Sequence, residues 1–430
     1  MRIKPSRFNV LFTQDGKYYV SNTLSHSLVE LIPEQFNMLT NGELDIFSEE
    51  EIGCLVQEGI VVDSELDEIG ILRYAYDIAK HDKDYMEFVI APTLNCNFAC
   101  PYCFEKSRNN NMCQEVQNQV VYFYKRLVKH NAFKKVKIAW YGGEPLLCFD
   151  VVKAVTERLI EINQKHNINA EIVMTTNGYL LDRNIVAGLE ELGFKYIQIT
   201  IDGPKHVHDT RRVLRSGKGT FETIINNIQL LRGSSVEISV RINIDKENAE
   251  YYKELSKYLY GLNMPNLRCY PALVEFTPNQ ESCRKCKCMT AKEFGDFANN
   301  EAREYYFDRG GASLQNVTYN CGAEHFYSFV IDDLGYVYKC WNSVGYTDQA
   351  LFHLSDVEAV NPIIASKYLA RDPFSEVECR DCAYLPICGG GCLYDYLHNG
   401  THTCVPERYL YKQLLFEKSQ NEGGENGEGS

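Results

Sequence analysis

Three cysteines, Cys96, Cys100 and Cys103, follow one another with gaps of three and two residues. The apolar run 88–91 just before them is typical of a strand, so all three thiols would project from the loop after that strand. Cysteine thiolates hold iron–sulfur clusters, and closed zinc sites or electron-transfer clusters normally take four protein ligands. A local trio therefore indicates a cluster in which one iron is left for a substrate or cofactor.

A second group of seven cysteines lies in the last third of the chain. The first two are separated by thirteen residues, Gly335 and four more residues, and the gaps among the next four are two, five and three. Paired cysteines of this kind hold zinc or iron–sulfur clusters, and both alternatives are open at this point. The group consists of Cys321, Cys340, Cys379, Cys382, Cys388, Cys392 and Cys404.

Composition narrows the class of protein. The chain has 430 residues and a net charge of −14, which predicts two to four domains and disfavours binding to a phosphate backbone. No apolar run reaches about 18 residues and no signal-peptide pattern begins the chain, so we expect a cytoplasmic protein without a membrane segment. Cytosolic thiols stay reduced, so the 17 cysteines predict metal or cluster ligation rather than disulfides.

Strand and helix patterns alternate through the middle of the chain. Each strand pattern is followed by apolar residues at helical spacing, which predicts six strand–helix units and a parallel sheet. Function would then sit at the carboxyl ends of the strands. The predicted strands are 88–91, 136–141, 171–176, 196–201, 236–243 and 267–272.

The first 80 residues have a different pattern. Alternating residues around Asp15-Gly16 predict a β-hairpin, and Ser48 with Glu51 predicts a capping box at the start of a helix. A short strand at 60–62 completes a winged-helix-like unit. This region holds 6 basic and 14 acidic residues, so DNA binding is disfavoured.

Further motifs follow the later strands. Gly142-Gly143-Glu144-Pro145 comes after the second strand, and Thr200-Ile201-Asp202 ends the fourth. Two adjacent glycines let a backbone approach a ligand closely. In this order, behind the three-cysteine loop, the motifs resemble the radical SAM superfamily.

That resemblance implies a partial (β/α)6 barrel and a set of site residues. Cys96, Cys100 and Cys103 would hold a [4Fe–4S] cluster that binds S-adenosylmethionine (SAM) and cleaves it to a 5′-deoxyadenosyl radical. Glu144 would bind the methionyl amino group and Asp202 the ribose, while His208 is as readily a supporting residue. The other SAM contacts would be Tyr102, Gly142, Gly143, Thr200 and Arg212.

The seven later cysteines resemble the SPASM domain, which carries two auxiliary [4Fe–4S] clusters, so the resemblance implies three clusters in all. Cys379, Cys382, Cys388 and Cys404 would hold the outer cluster. Cys321, Cys340 and Cys392 would hold the inner cluster, whose fourth ligand is open. No cysteine precedes Cys321 within 313–320, so either Cys283, Cys286 or Cys288 completes the site, or one iron remains open. Those three cysteines could equally be free thiols of a surface loop.

The whole pattern resembles the peptide-modifying subgroup, which is related to anaerobic sulfatase-maturating enzymes. It implies hydrogen abstraction from a ribosomally made precursor peptide, with a flavodoxin or ferredoxin as electron donor. A Cys thioether is the first choice of product; carbon–carbon cross-linking and formylglycine formation are alternatives. Trp341 follows Cys340 where formylglycine-forming relatives have a basic aspartate, although Asp332 or Asp333 could substitute.

Five segments follow from these patterns. The N-terminal unit would bind a leader peptide along a sheet edge, or would be a plain extension. Cys54, Cys113, Cys148 and Cys269 match no ligand spacing and are predicted to be buried thiols. The predicted segments are a recognition element at 1–80, the radical SAM barrel at 81–272, a bridge at 273–312, the SPASM domain at 313–415 and a disordered tail at 416–430.

Overall fold

The computed structural model describes residues 2–274, 287–306, 321–400 and 402–425. A sheet of nine strands organises most of these residues, and helices cover it. None of the helices in the described ranges has the length and apolarity needed to cross a membrane.

The N-terminal unit contains two small sheets and three helices. Strands β2, β3 and β4 form an antiparallel sheet, and β1 pairs with β5. Asp15 and Gly16 both have positive φ in the predicted hairpin, and Ser48 and Glu51 form the predicted capping box. The elements are β1 (Ile3–Pro5), β2 (Asn9–Gln14), β3 (Lys17–Asn22), β4 (Ser27–Leu31), α1 (Pro33–Thr40), α2 (Glu49–Gln57), β5 (Val61–Asp63) and α3 (Glu68–Lys80).

All six predicted strand–helix units form. The six strands lie side by side in chain order and every neighbouring pair is parallel, which confirms the predicted α/β class. The elements are β6 (Tyr85–Ile90), α4 (Gln114–His130), β7 (Lys135–Trp140), α5 (Phe149–His166), β8 (Asn169–Thr176), α6 (Arg183–Glu191), β9 (Phe194–Thr200), α7 (Lys205–Arg211), α8 (Phe221–Gln229), β10 (Glu237–Ile244), α9 (Tyr252–Gly261) and β11 (Leu267–Leu273).

Burial explains why these strands read as continuous apolar runs. Phe88, Val89 and Ile90 of β6 are all fully buried, because helices cover one face of the sheet and residues of the cysteine-rich region, such as Val344, pack on the other. Helix α4 places Val120 and Tyr124 in the same core. The carboxyl ends of the strands therefore meet at one edge, where the loops that carry the motifs begin.

The cysteine-rich region is helix-rich and joins the same sheet. Strand β12 pairs in parallel with β6, and β13 and β14 follow antiparallel. The elements are α10 (Ala291–Asn300), α11 (Arg303–Tyr306), β12 (Ser328–Ile331), β13 (Tyr336–Tyr338), β14 (Phe352–His353), α12 (Pro362–Leu369), α13 (Val377–Arg380), α14 (Leu385–Cys388), α15 (Leu393–Asn399) and α16 (Glu407–Glu425). Helix α16 passes residue 416, where the disordered tail was predicted to begin, because adding residues to a helix that has already started is easier than starting a new one.

The N-terminal unit packs on the cysteine-rich region. Phe8 lies in one buried cluster with Phe374 and Leu385. The Tyr411 hydroxyl donates to the Asn22 carbonyl over 2.9 Å, and the Phe416 ring packs edge-on against Phe12 and Tyr19. The unit is therefore held against the chain's C-terminal third by apolar and polar contacts.

Candidate active site

The three-cysteine loop begins where β6 ends and is held against the segment after α7. The Ala99 amide donates to the Val213 carbonyl over 2.9 Å, and the Arg215 amide donates to the Asn97 carbonyl over 3.0 Å. These bonds bring together two stretches more than 100 residues apart. The loop therefore has a fixed position relative to the end of the fourth barrel strand.

The thiols of this loop lie close enough to affect one another. Burial raises the pKa of Cys96 to about 12, and negative charge on Glu144 and Cys100 raises it further. Burial also raises the pKa of Cys100. Bound iron stabilises thiolates that would otherwise be costly to form side by side, so the donor set fits an iron–sulfur cluster.

Gly142 and Gly143 pack against the cysteine loop. Gly142 has a φ of +122°, and a Cβ there would lie 2.5 Å from the Thr93 carbonyl oxygen. A Cβ on Gly143 would collide with the Asn95 carbonyl oxygen. The Glu144 amide donates to that same oxygen over 2.9 Å. The sequence predicted close approach to a ligand, whereas in the structure the glycines allow close approach of the loop that carries the cysteines.

Glu144 lies fully buried beside this contact. Its carboxylate accepts from the Thr176 hydroxyl at 2.6 Å, from the Asn177 amide at 2.7 Å and from the Leu146 amide at 3.0 Å. Burial raises the pKa of Glu144, and these donors oppose the rise. A carboxylate has about four acceptor positions, so the three bonds fix its orientation and leave room for one more donor.

Tyr102, Asp202 and Arg212 meet in one buried network. The Tyr102 hydroxyl donates to Asp202 Oδ2 over 2.5 Å and accepts from Arg212 Nη1 over 2.7 Å. Arg211 Nε donates to the same Asp202 oxygen over 3.3 Å, and Arg211 Nη2 donates to Asp245 over 2.7 Å. Residues from the cysteine loop, β9 and α7 therefore converge at one point.

Several buried polar atoms at this point have no hydrogen-bond partner among the described residues. They are Asp202 Oδ1, Arg212 Nε and Asn97 Nδ2. Burying a polar atom without a partner costs free energy. Acceptors and donors left in this way beside the cysteine loop fit a polar ligand, such as SAM, that would satisfy both kinds of atom.

The remaining predicted residues surround this network. His208 Nδ1 accepts from the Asp202 amide at 3.3 Å, and burial lowers the pKa of His208 to about 3, so the ring is neutral and supports the loop. Thr200 ends β9 and pairs in register with Arg241 on β10. Asn243 Nδ2 lies 3.4 Å from the Tyr102 hydroxyl. The structure thus brings all the predicted SAM contacts to one edge of the sheet.

Comparison with known proteins decides the class. The sequence profile of the Radical SAM superfamily matches residues 90–259, the part of the chain that holds this site. The chain carries a radical SAM domain at these residues, which confirms the predicted resemblance to this enzyme superfamily.

Relatives of this chain include sulfatase-maturating enzymes. The cysteine-type enzyme of Clostridium novyi is 25% identical over 327 residues, which span 69% of this chain and 85% of that protein. The serine-type enzyme of Bacteroides thetaiotaomicron is 20% identical over 341 residues, spanning 69% of this chain and 80% of that protein.

Two solved structures share the fold. Native anSMEcpe with bound AdoMet and Cp18Cys peptide has a TM-score of 0.61 at 22% identity, and covers 78% of this chain and 99% of its own. Streptococcus suis SuiB bound to precursor peptide SuiA has a TM-score of 0.53 at 16% identity, and covers 95% of this chain and 99% of its own.

An aromatic pair links the radical SAM loop to the cysteine-rich region. Tyr141, directly after β7, packs edge-on against Trp341 with ring centroids 4.2 Å apart. Burial holds the pKa of Tyr141 well above its usual range, with smaller effects from Glu105, Cys103 and Cys340. Tyr141 therefore lies near one cysteine of each group.

Cys321, Cys340 and Cys392 form an inner thiol group. Although Cys321 keeps part of its surface exposed, desolvation by the protein around its thiol raises the pKa of Cys321 to about 12, and Glu324 and Cys392 raise it further. Cys321 and Cys392 also raise the pKa of Cys340. Because these thiols raise one another's pKa, the three residues predicted as inner ligands lie close to one another.

A cavity of about 950 Å³ runs from the barrel to this inner group. Arg241 of β10 and Leu273 at the end of β11 line it, together with the inner Cys321 and Cys392 and the outer Cys404. Cys288 faces the same cavity, while Cys283, Cys286 and residues 313–320 lie outside the described residues. A substrate in this cavity would contact both the barrel edge and the inner thiols.

The outer thiols lie on the side nearer the N-terminal unit. Burial raises the pKa of Cys388, and Cys404 and Cys382 also raise it. Burial raises the pKa of Cys379 to about 12, and Glu376, Cys388 and Cys382 raise it further. Cys379 also lies within 4.8 Å of carboxylate and imidazole ligand atoms from two neighbours, Glu376 and His402. One of the predicted outer ligands, Cys379, therefore has a glutamate and a histidine beside it.

Several residues of this region carried no recognisable sequence signal. Arg371 donates to Glu324 over 2.6 Å and to the carbonyls of Gly390 and Gly391, in the three-glycine link between the outer Cys388 and the inner Cys392. Arg211 and Asp245 likewise join distant segments.

A correction concerns the four unassigned thiols. Cys148 and Cys269 are buried as predicted, but Cys54 and Cys113 are exposed, because each lies on the solvent side of a helix or at its start.

Proposed function

We propose that this radical SAM enzyme is a maturase that modifies a ribosomally made peptide. The observation that carries the proposal is the extent of the structural likeness. The likeness to SuiB covers 95% of this chain, whereas the likeness to anSMEcpe covers 78%. SuiB is bound to a precursor peptide in that structure, and its fold extends over more of this chain than the fold of anSMEcpe does, which supports a peptide maturase over a sulfatase maturase.

In this proposal the barrel binds the cofactors at the edge described above. Cys96, Cys100 and Cys103 hold the first [4Fe–4S] cluster, and Glu144 with Asp202 binds the two ends of SAM. When bound, the cluster and SAM supply a 5′-deoxyadenosyl radical that removes a hydrogen atom from the substrate. The residues of the chain orient SAM and exclude water, since Glu144 and Asp202 are both fully buried.

The cysteine-rich region holds two auxiliary clusters in the proposal, giving three in all. The inner one, on Cys321, Cys340 and Cys392, adjoins the 950 Å³ cavity that a peptide would enter. The outer one, on the other four cysteines, lies on the side nearer the N-terminal unit. A flavodoxin or ferredoxin supplies the electrons from outside the chain.

A thioether is the first choice of product. Formylglycine formation needs a base, and Trp341 stands where those relatives have an aspartate. Asp332 and Asp333 are both buried and ion-paired with Arg108, so neither is free to take a proton from a substrate. Three inner cysteines leave an iron position for a substrate thiolate, which favours sulfur as the bonding partner. Carbon–carbon cross-linking remains the second candidate because the same cavity would admit it.

The N-terminal unit binds the leader in this proposal. Its sheet has two edge strands, β2 and β4, around the central β3. An extended peptide can add to such an edge by backbone hydrogen bonds. The net acidic charge of the unit predicts a leader with basic residues near its binding segment.

The test uses the short peptide encoded beside this protein. Anaerobically reconstituted enzyme, SAM and reductant should lower the mass of that peptide by about two units, the loss of two hydrogen atoms. Thiol alkylation and tandem fragmentation then identify the bond. A blocked thiol indicates a thioether, and an alkylatable thiol in a cross-linked peptide indicates a carbon–carbon bond.

The matched control is C96A/C100A/C103A, which removes the proposed ligands of the first cluster. This variant should form no 5′-deoxyadenosine and leave the peptide unchanged, while C113A, which removes an exposed thiol at the start of α4 that matches no ligand spacing, should react like the parent. Continued 5′-deoxyadenosine formation by the triple variant would show that SAM is cleaved elsewhere.

A further inference from the structure

Lys339 is a buried lysine directly before Cys340. Only about 1% of its surface is exposed. Its ammonium donates to the His325 carbonyl over 2.5 Å and to the Ser328 carbonyl over 2.7 Å. The His325 carbonyl belongs to the turn that starts at Cys321, and the Ser328 carbonyl begins β12 directly after it, so this side chain ties the first inner cysteine's turn to the strand that leads to the second.

The ammonium of Lys339 has no ion-pair partner in the part of the chain that the structure describes. Nearby acidic groups are engaged elsewhere: Glu87 pairs with Lys137 over 3.2 Å, and Glu324 pairs with Arg371 over 2.6 Å. Lys80, a second buried cation, lies on the same side and donates to the Arg371 carbonyl. Burying an unpaired charge is costly, and burial lowers the pKa of Lys339 to about 7, so its ammonium form calls for a negative charge nearby.

The inner thiols supply the missing charge once they bind iron. Three thiolates on a [4Fe–4S] cluster give it a net negative charge, and the charge on Cys321 is among the influences that act on Lys339. We propose that Lys339 is the counter-charge of the inner cysteine site and raises the reduction potential of the cluster held there. The proposal rests on the auxiliary clusters of the proposed function, and it makes Lys339 a positioning residue rather than a catalytic one.

The physical consequence is a change in electron affinity. A cluster gains one more negative charge on reduction, and a fixed cation within the same low-dielectric region favours that state. The turn carbonyls hold the ammonium in place, so the effect does not depend on a flexible surface side chain. Removing the cation should therefore lower the potential of one auxiliary cluster and leave the other nearly unchanged.

The experiment is a redox titration followed by electron paramagnetic resonance. It uses the full chain with C96A/C100A/C103A, so that only auxiliary clusters contribute. K339M removes the charge at similar length, K339R keeps the charge, and K80M removes another buried ammonium of the same interface. We expect one of two auxiliary potentials to become more negative in K339M, to stay near the parent in K339R, and to shift less in K80M.

Each outcome decides the proposal. The proposal is also supported if K339M alone loses about four irons per chain and K339R keeps them. In that case the positive charge is needed for the inner cluster to remain bound. Full iron with both potentials unchanged in K339M overturns it, as does equal iron loss in K339M and K80M. If the parent binds no auxiliary iron at all, the cluster assignments of the proposed function fail as well, which the parent sample reveals before any lysine variant is compared.

Discussion

Asp202 joins Tyr102 of the cysteine loop to Arg211 through a single carboxylate. Its Oδ2 accepts hydrogen bonds from the Tyr102 hydroxyl and Arg211 Nε, while its Oδ1 has no hydrogen-bond partner among the described residues. The side chain is fully buried, so the second oxygen can be satisfied only by something that enters the site. A ribose hydroxyl offers the donor that this oxygen lacks.

The first residue-scale prediction concerns D202N. The amide keeps the size of the side chain but loses its charge opposite Arg211 and Arg212. A hydrogen bond to a charged group contributes about 1.5–3 kcal/mol, so SAM should bind at least about tenfold more weakly. Equilibrium dialysis of SAM against reconstituted enzyme measures this, with iron content as a check that the first cluster is intact.

The control for this variant is D209N. Asp209 accepts from the Thr220 and Phe221 amides and belongs to the same segment, yet it takes no part in the Asp202 network. D209N should lower the stability of the enzyme without changing SAM affinity. Equal SAM affinity in D202N and the parent would remove Asp202 from the ligand site.

Residues with a motif could be predicted from the sequence, and residues without one could not. Asp202 and Arg212 lie at fixed places relative to a strand end, so the pattern identified them. Arg211 and Arg371 act through partners 34 and 47 residues away. Nothing local marks such residues, because their contacts are set by how distant segments pack.

At the scale of elements, the turn after β7 and the cysteine loop behave as one unit. Gly143 lets the two backbones touch, and the Gly143 and Glu144 amides donate to the Thr93 and Asn95 carbonyls over 3.1 and 2.9 Å. The SAM motif and the cluster motif therefore depend on each other. A change in the turn should displace the thiols.

The second prediction follows from this contact. In G143A the new methyl group would collide with the Asn95 carbonyl oxygen, and relieving such overpacking costs about 1–3 kcal/mol. The loop that carries Cys96 should shift, so the first cluster should assemble incompletely. Iron analysis and the loss of 5′-deoxyadenosine formation measure the effect.

G261A is the matched control for this glycine. A Cβ on Gly261 at the end of α9 would meet nothing within 4 Å, and alanine favours a helix by about 0.5–1 kcal/mol over glycine. This variant should keep its iron and unfold at a slightly higher temperature. Normal iron content in G143A would show that the loop tolerates the collision.

The six barrel strands were predictable because each is a buried apolar run followed by a helix, and their ends differ from the structure by at most three residues. The pairing of β12 with β6 could not be predicted. That pairing joins residues 328–331 to residues 87–90, and a four-residue strand carries no information about a partner so far away. As a result, the predicted boundary between barrel and cysteine domain divides a single sheet.

At the scale of the whole molecule, the N-terminal unit and the cysteine-rich region share a buried interface. Phe8 packs with Phe374 and Leu385, and Leu28 packs beside the buried cluster of Tyr411. Deleting residues 1–80 would expose these apolar side chains, so weaker peptide binding by a truncated enzyme would have two explanations. Leader binding is better tested by changes confined to a sheet edge.

The last prediction uses proline pairs on the two edge strands. Along an edge strand, alternate amides face the neighbouring strand and the open side. V29P and E30P on β4 therefore remove one amide of each kind, and V10P and L11P do so on β2. If the leader adds to one edge, the proline that removes an outward amide there should weaken precursor binding by about tenfold, measured by fluorescence polarisation.

The pairs contain their own controls. The proline that removes an inward amide should lower the unfolding temperature, because it breaks a bond to β3, whereas the outward one should not. On the edge strand that the leader does not use, the proline that removes an outward amide should affect neither stability nor binding. Weaker binding in a variant of unchanged stability identifies the edge that the leader uses. Four variants that bind the precursor as the parent does would instead make the N-terminal unit a structural extension, with the leader held by the cavity between barrel and inner thiols.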